Sequence, residues 1–393
     1  MGEDAMTSIE RIYTTKNLKE PDRVPADPLN IYILAYQGGI TIKEFIHEPD
    51  KAVRAVEIAW KKIGKGDQVY PGLCALNHLH FLPKAGWDQS TLCWEIFDDF
   101  PPNGNIPNFY EKLIIEDYEE IMEKGFSAIL FNRQVNRKVL EISIDDMLHH
   151  QYELPKEYSR EWRKIVERYQ VPYTIGGRST IPFELVIYYR GLVQVVKDIH
   201  ERPEQLKSFI EWLLEWEVIS GLTEATVMGA GEVPGAEVVL FQAGVVGPPY
   251  ISPRVFEEFV WPTLKKGVDM IVKRGFKAHV HVDGDLTSVL QRMRDIAKGL
   301  PKGRIVLDLE KTDMKKAKEI LGDKVCLYGN VPSSLLIHGS PHDVKKYCKK
   351  LIEDCADGGG FILSTECETP WNAKPENVKA IIDSAKEYGK YRK

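Results

Sequence analysis

The sequence predicts an α/β protein, built as a (β/α)8 TIM barrel with a helix-rich N-terminal extension. From residue 126 onward, short apolar segments alternate with amphipathic segments of helical length, which is typical of a parallel sheet covered by helices. Seven or eight such repeats within about 260 residues fit a closed barrel better than an open sheet. No apolar segment is followed by the glycine-rich G-x-G-x-x-G loop that grips phosphate in open nucleotide-binding sheets.

Residues 1–125 form the predicted N-terminal extension, and residues 126–393 form the predicted barrel. Within the extension, residues 50–63 place apolar side chains near a period of 3.6 after an acidic first turn, which predicts an amphipathic helix. A second helix is predicted over residues 110–124, and the composition of residues 101–108 indicates a loop. The extension is therefore expected to pack on the barrel as helices.

The predicted barrel elements follow one another in the order strand, loop and helix. Strands are predicted over residues 127–131, 171–175, 237–241, 277–282, 304–309, 324–328 and 360–364. Helices are predicted between and after them, over residues 183–198, 203–226, 252–274, 287–299, 315–321, 342–357 and 375–388. In barrels of this kind the chemistry takes place at the carboxyl ends of the strands.

Charge and cysteine content exclude several classes of protein. The chain has 393 residues with 52 Lys and Arg against 58 Asp and Glu, so its net charge of −6 gives no general attraction to nucleic acid or to an anionic membrane. It shows no membrane-spanning stretch and no secretory signal, so a cytoplasmic location is expected. None of the six cysteines forms a C-x-x-C pair, and all except Cys367 are expected to be small buried thiols.

Polar side chains stand where several predicted strands end. They are Gln242, Asp283, Glu310, Asn330 and Cys367, and Asp283 alternates with His279 and His281 along one strand. A histidine, two carboxylates and a thiolate at one barrel mouth are typical of a zinc site, which would comprise His281, Asp283, Glu310 and Cys367. These residue types also have structural interpretations, namely hydrogen bonding within the core, helix capping and packing.

Several short motifs carry a resemblance to a known family. They are PDRVP at residues 21–25, YISP at 250–253, LYGNVP at 327–332, GGFIL at 359–363, and Cys367 followed by PENV at 375–378. Together these motifs resemble the uroporphyrinogen decarboxylase superfamily, and within it the cobamide-dependent methyltransferases. The resemblance covers the barrel from about residue 230 onward.

The two branches of this superfamily imply different chemistry. The decarboxylases carry arginines directly after the P-x-R-x-P motif to hold substrate carboxylates, whereas residues 30–37 of this chain, NIYILAYQ, contain none. Gln242 also stands where the decarboxylases tend to keep an acidic residue. The resemblance therefore favours the methyltransferase branch and implies the four-residue zinc site named above, with Asp283 and Glu310 as its catalytic members.

Asp283 departs from the thiol-activating relatives, which have cysteine at this position. A carboxylate in place of one thiolate makes zinc a harder Lewis acid, better suited to a substrate oxygen than to a thiol. The expected reaction is O-demethylation: a methyl group moves from an O-methyl donor, such as a methoxylated aromatic, to the Co(I) corrinoid of a separate corrinoid protein. An alternative role for Asp283, in which it only orients His281 through a hydrogen bond, stays open.

The remaining expectations concern substrate and partners. The side chains expected to line the mouth are Tyr32, Tyr36, Arg178, Phe183, Gln242 and Asn330, with Arg178 suited to a substrate carboxylate. The chain has no D-x-H-x-x-G cobalt-binding motif, so the corrinoid is expected on the partner protein. Methyl transfer from a methyl-corrinoid to a thiol, and a metal-free decarboxylase or binding protein, remain alternatives. The oligomeric state, a homodimer included, stays open.

Overall fold

Six parallel strands form the centre of the fold in the computed structural model, which describes residues 4–28, 30–71, 117–124, 154–248 and 250–391. The strands are β1 (Gly177–Thr180), β2 (Val238–Ala243), β3 (Lys277–Val282), β4 (Ile305–Leu309), β5 (Cys326–Val331) and β6 (Phe361–Thr365). Each strand pairs in parallel with the next strand along the chain, so the order in the sheet is the order in the sequence. This order is typical of a barrel rather than of a doubly wound sheet.

Two N-terminal segments close the sheet into a ring. The first pairs in parallel with β6 through Ala26 and Leu363, and the second pairs in parallel with the approach to β1 through Val69 and Tyr173. The two segments contact each other, because the Asp67 N–H donates to the Ala26 carbonyl at 2.8 Å. Together with the six strands they complete a ring of eight, which confirms the predicted (β/α)8 barrel.

The helices surround this ring. They are α1 (Ser8–Lys16), α2 (Ile31–Gly38), α3 (Ile42–His47), α4 (Pro49–Ile63), α5 (Asp117–Lys124), α6 (Leu154–Tyr169), α7 (Pro182–Arg190), α8 (Leu192–Glu201), α9 (Pro203–Val227), α10 (Trp261–Lys273), α11 (Met314–Leu321), α12 (Ser333–His338), α13 (Pro341–Cys355) and α14 (Pro375–Tyr388). Short helical turns add Gly244–Val246, Pro253–Val255, the π-turn Phe256–Val260, Leu286–Val289, Leu290–Met293 and Arg294–Ala297. Across the described ranges, none of the helices is both long and apolar enough to cross a bilayer.

Most predicted strands and helices agree with the structure to within a few residues, but the predicted strand 171–175 lies ahead of β1 and contributes only an isolated bridge at Tyr173. The predicted helix 183–198 is divided in two, because Gly191 adopts a φ of +82° that a helix does not allow. The predicted helix 287–299 is a series of short turns. The predicted strand 127–131 lies outside the described residues, as do Cys74 and Cys93, whereas Cys326, Cys348 and Cys355 are buried free thiols as predicted.

The N-terminal segments are anchored to the barrel by a buried ion network. The Arg11 and Arg23 guanidiniums each donate to Asp67 at 2.7 Å, and the Ser8 hydroxyl adds a hydrogen bond of 3.0 Å. Burial alone would raise the pKa of Asp67, but the two guanidiniums hold it below its ordinary value. Residues of the predicted extension thus contribute to the barrel itself, while the proposed boundary near residue 125 lies outside the described residues and stays a prediction.

The inside of the barrel is polar at its centre, where branched apolar side chains usually pack. His279, Asp308 and Tyr328 lie there on three neighbouring strands, all nearly buried. The Tyr328 hydroxyl and the Thr174 hydroxyl each donate to Asp27 Oδ2 at 3.0 Å, so the first N-terminal segment is tied across the barrel. This polar layer lies directly below the strand ends that carry the candidate site.

Candidate metal centre at the carboxyl end of the barrel

His281, Asp283 and Cys367 come together at the carboxyl ends of β3 and β6. His281 is on β3, Asp283 follows that strand, and Cys367 follows β6, so each lies where barrel chemistry is expected. One ligand atom from each lies within 4.8 Å of those of the other two. His281 Nε2 is 2.8 Å from Asp283 Oδ1 and 3.9 Å from Cys367 Sγ.

This group has the donor atoms of a zinc site, and one of its carboxylate oxygens has no hydrogen-bond donor. Nitrogen, oxygen and sulfur donors in one small cluster are the ligands that Zn²⁺ prefers in proteins. Asp283 Oδ1 is buried and accepts no hydrogen bond of good geometry. Its contact with His281 Nε2 is short but does not have hydrogen-bond geometry. A buried carboxylate oxygen without a donor is costly unless a cation is bound there. The residues therefore fit a bound zinc ion.

The second ring nitrogen of His281 contacts Asp308, a residue that was not among the predicted site residues. Asp308 is the register partner of His281 on β4, and its Oδ2 lies 2.7 Å from His281 Nδ1. Burial alone would lower the pKa of His281, but the Asp308 and Asp283 carboxylates raise it well above its ordinary value. Both ring nitrogens thus face a carboxylate, and a metal ion bound at Nε2 would take the place of a proton there. The sequence signal that could have identified Asp308 is a carboxylate inside an otherwise apolar predicted strand.

Cys367 lies in a loop that is fixed to the barrel by hydroxyl groups. Thr365 Oγ1 donates to the Cys367 carbonyl at 2.5 Å, and Thr369 Oγ1 donates to the Pro28 carbonyl at the same distance. Burial raises the pKa of the Cys367 thiol, although the neighbouring His281 lowers it in part. A thiol in this state becomes a thiolate when a metal ion binds it, because the cation stabilises the charge.

Glu310, the fourth predicted ligand, is not part of the three-residue group. Its Oε2 accepts a hydrogen bond from the Gly284 N–H at 2.5 Å, and its Oε1 lies 3.2 Å from Lys311 Nζ. Gly284 adopts a φ of +91°, which lets the chain turn directly after Asp283. Glu310 thus braces the turn behind one candidate ligand, and its role as a ligand stays a prediction.

Arg178, Gln242 and Glu184 form a polar wall beside the candidate centre. Gln242 is the register partner of His281 on β2; its side chain accepts a hydrogen bond from Arg178 Nη2 and donates to Glu184 Oε1 at 3.3 Å. A Cβ added at Gly244 would lie 2.9 Å from Glu184 Oε1 and 3.0 Å from Asp283 Oδ2. Glu184, which is fully buried in the first turn of α7, was not predicted because it stands in an otherwise apolar stretch.

The other predicted substrate residues have varied surroundings. The Asn330 side chain donates to the backbone carbonyls of Glu310 and Thr312 at 2.8 and 3.0 Å, so it supports the loop after β4. Phe183 is buried and packs against Phe259 with ring centroids 6.1 Å apart. Tyr32 is half-buried against the core, and Tyr36 is exposed beside Trp371. Within the predicted substrate set, Gln242 therefore lies next to the candidate ligand His281, and Arg178 is hydrogen-bonded to Gln242.

Comparison with known proteins identifies the family. The family model described as uroporphyrinogen decarboxylase (URO-D) matches residues 150–388. The chain belongs to the URO-D family. The match begins ahead of β1 and contains every candidate ligand, so the candidate centre lies wholly within the part of the chain that defines the family.

Curated URO-D relatives carry two different names. The methylcobamide:CoM methyltransferase MtaA of Methanosarcina barkeri is 27% identical over 199 residues, which is 47% of this chain and 53% of that protein. The uroporphyrinogen decarboxylase of Pseudoalteromonas translucida is 29% identical over 145 residues, which is 36% of this chain and 40% of that protein. The chain therefore spans about half, or less, of the length of these relatives.

A solved structure shows the same fold over nearly the whole chain. It is a methyltransferase from Methanosarcina mazei, with a TM-score of 0.66 and 19% sequence identity, and the match covers 98% of this chain and 99% of that chain. At this level of identity the comparison supports the barrel architecture of a URO-D protein and does not by itself assign an activity.

Proposed function

We propose that this chain is a zinc-dependent methyltransferase that moves a methyl group from an O-methyl donor to the Co(I) corrinoid of a separate corrinoid protein. The observation that carries the proposal is the convergence of His281, Asp283 and Cys367 at the carboxyl end of the barrel. The similarity to the methylcobamide:CoM methyltransferase of Methanosarcina barkeri supports methyl transfer with a corrinoid partner.

His281 Nε2, Asp283 Oδ1 and Cys367 Sγ would hold the zinc ion, with Glu310 as a proposed further ligand. Zinc would supply Lewis acidity at the oxygen of the methyl donor. The chain's own contribution is to bring the donors together on strand ends, to hold them half-buried at the barrel mouth, and to keep a carboxylate in place of a second thiolate.

The net reaction breaks one carbon–oxygen bond and forms one cobalt–carbon bond. Co(I) of the partner's corrinoid supplies the electron pair that attacks the methyl carbon, and the former ether oxygen leaves as an alkoxide or a phenoxide that takes a proton from solvent. We propose a methoxylated aromatic as the donor. Arg178 and Gln242 would contact a polar ring substituent, and Tyr32, Tyr36, Phe183 and Asn330 remain proposed members of the surrounding pocket.

A second function keeps the fold and the metal and reverses the direction. The M. barkeri relative is named as a methyltransferase that uses coenzyme M, which favours methyl transfer from a methyl-corrinoid to a thiol as the alternative. The two functions differ in the group that the metal must activate. An oxygen leaving group favours the harder donor set of one thiolate and one carboxylate, and a thiol favours two thiolates.

One assay separates the two directions. The purified chain is incubated with zinc and cob(I)alamin plus either methoxybenzoates or methanol, and methylcobalamin formation is followed by absorbance. The reverse direction is tested with methylcobalamin and coenzyme M. Formation of methylcobalamin from a methoxybenzoate supports the proposal, methylation of the thiol alone supports the alternative, and the absence of both activities in zinc-loaded protein contradicts the two functions together.

Paired cysteine variants test the metal centre. Cys367→Ser is expected to lose most of the bound zinc and the activity, because it removes the one thiolate of the site, while helical content and thermal unfolding stay close to those of the parent. Cys355→Ser is the matched control, since Cys355 is a buried thiol on α13 near the Met314 carbonyl rather than in the metal group. Retention of zinc by Cys367→Ser would contradict the site.

A further inference from the structure

Asp308 is a buried carboxylate directly behind the candidate metal centre. It lies on β4 with 8% of its surface exposed. Its Oδ2 is 2.7 Å from His281 Nδ1 and 3.5 Å from His279 Nε2, while its Oδ1 is buried without a hydrogen-bond partner. The one short polar contact of this carboxylate is therefore with the histidine of the metal group.

The two nitrogens of the His281 ring face different partners. Nε2 points to Asp283 and Cys367, at 2.8 and 3.9 Å, and Nδ1 points to Asp308. A neutral imidazole has one nitrogen that carries a proton and one that carries a lone pair, and only the lone pair binds a metal. An acceptor at Nδ1 places the proton there and leaves Nε2 available as a ligand.

Asp308 is held rigidly enough to fix the ring. It is the register partner of His281 in the paired strands β3 and β4, so the backbone sets the distance between the two residues. His279 is too far from Asp308 for a strong hydrogen bond, and its own ring lies edge-on to Tyr328 at 5.0 Å between centroids. Asp308 is therefore available to His281 and cannot turn away into solvent.

We propose that Asp308 is a positioning residue that holds the proton of His281 on Nδ1 and thereby presents Nε2 to the metal ion. This inference rests on the metal centre of the proposed function and adds a residue outside the group of candidate ligands. Asp308 does not itself bind the metal, because it contacts the ring nitrogen opposite to the one that faces Asp283 and Cys367.

Zinc affinity in a graded set of variants tests the proposal. Asp308→Asn keeps the shape but weakens the acceptor, and Asp308→Ala removes it. Zinc dissociation constants from chelator competition are expected to rise by about 10- to 100-fold for Asp308→Asn and further for Asp308→Ala, as for other carboxylates that orient metal-binding histidines. The matched control is Asp27→Asn, which removes a buried carboxylate from the same barrel interior without touching His281; its zinc affinity is expected to stay unchanged.

A spectroscopic measurement tests the same inference without any substitution. In zinc-loaded protein labelled with ¹⁵N-histidine, the His281 ring is expected to show a proton on Nδ1 and a metal bond at Nε2. The opposite assignment would overturn the proposal, even where the Asp308 variants fail to fold.

The outcomes separate this inference from the proposed function. Parent protein that binds zinc, together with an Asp308→Asn variant that binds it equally well, would overturn the role of Asp308 alone. Parent protein that binds no zinc would overturn the metal centre and the positioning role with it. A loss of stability in Asp308→Asn with unchanged zinc affinity would identify Asp308 as a packing residue and reject the proposal.

Discussion

Replacement of Asp27 by asparagine is expected to remove a large part of the pH dependence of stability. Asp27 is fully buried inside the barrel, and burial raises its pKa from the ordinary 3.8 to about 7, although hydrogen bonds from the Tyr328 and Thr174 hydroxyls act in the opposite direction. One carboxylate oxygen accepts both hydroxyls and the other has no partner. The folded protein therefore holds a proton that the unfolded chain releases at a lower pH.

The sign and size of the effect follow from that difference. Because the folded-state pKa lies above the unfolded value, the contribution of Asp27 is fully favourable below about pH 4, is lost as the pH rises, and levels off above about pH 7. Each pH unit between these limits costs about 1.4 kcal/mol, and the full interval costs about 4 kcal/mol. The side chain introduced by Asp27→Asn does not ionise, so the free energy of unfolding of that variant lacks the pH dependence that Asp27 contributes.

Urea denaturation of the parent and of Asp27→Asn at pH 5, 6, 7 and 8 measures the effect. The difference between the two free energies of unfolding is expected to grow by about 2–3 kcal/mol in favour of the variant from pH 5 to pH 8. Other titrating groups cancel, because both proteins contain them. Parallel profiles over this range would refute the raised pKa. Tyr328→Phe removes one donor to Asp27 and is expected to make the slope persist to higher pH.

Further substitutions test the site and the N-terminal anchor. Asp283→Cys is expected to keep zinc, to show a second sulfur in X-ray absorption and to lose much of the ether demethylation; an unchanged single-sulfur shell would exclude direct ligation. Gly244→Ala is expected to displace Asp283 and weaken zinc binding by about tenfold with little change in melting, because its Cβ meets Glu184 and Asp283. Asp67→Ala removes the buried carboxylate that Arg11 and Arg23 share, which leaves Arg23 with only the more exposed Asp4, and is expected to cost about 3–5 kcal/mol in urea denaturation.

The sequence predicted the barrel well where strands are long and apolar. Strands β2 to β6 are within three residues of their predicted bounds, because each is a run of mostly buried residues between turn signals. The two N-terminal segments around Ala26 and Val69 were not predicted as barrel strands. They pair through very few residues in a stretch without alternation, and their extended conformation depends on neighbours distant in the chain.

The sequence predicted which residues lie at the strand ends, but it did not predict which side chains contact one another there. His281, Asp283 and Cys367 could be grouped because the carboxyl ends of parallel strands meet at one mouth. Asp308 could not be paired with His281, since the pairing depends on the register between β3 and β4, which no local pattern encodes. Glu310 was grouped with them because it follows β4, but its carboxylate accepts the Gly284 N–H, and its role as a ligand stays a prediction.

Under the proposed function, the charges of the centre indicate how the residue at position 283 would influence the chemistry. A carboxylate and a thiolate both carry one negative charge when they bind a metal, so exchanging one for the other leaves the formal charge of the site unchanged. Asp308 contacts the His281 ring nitrogen that faces away from Asp283, so its negative charge next to the ring is the same in either case. What the exchange alters is the electron donation to zinc, which is greater from sulfur than from oxygen. A preference for oxygen-bound methyl groups would therefore arise because the donor atom at position 283 is oxygen rather than the softer sulfur, while the formal charge of the site stays the same.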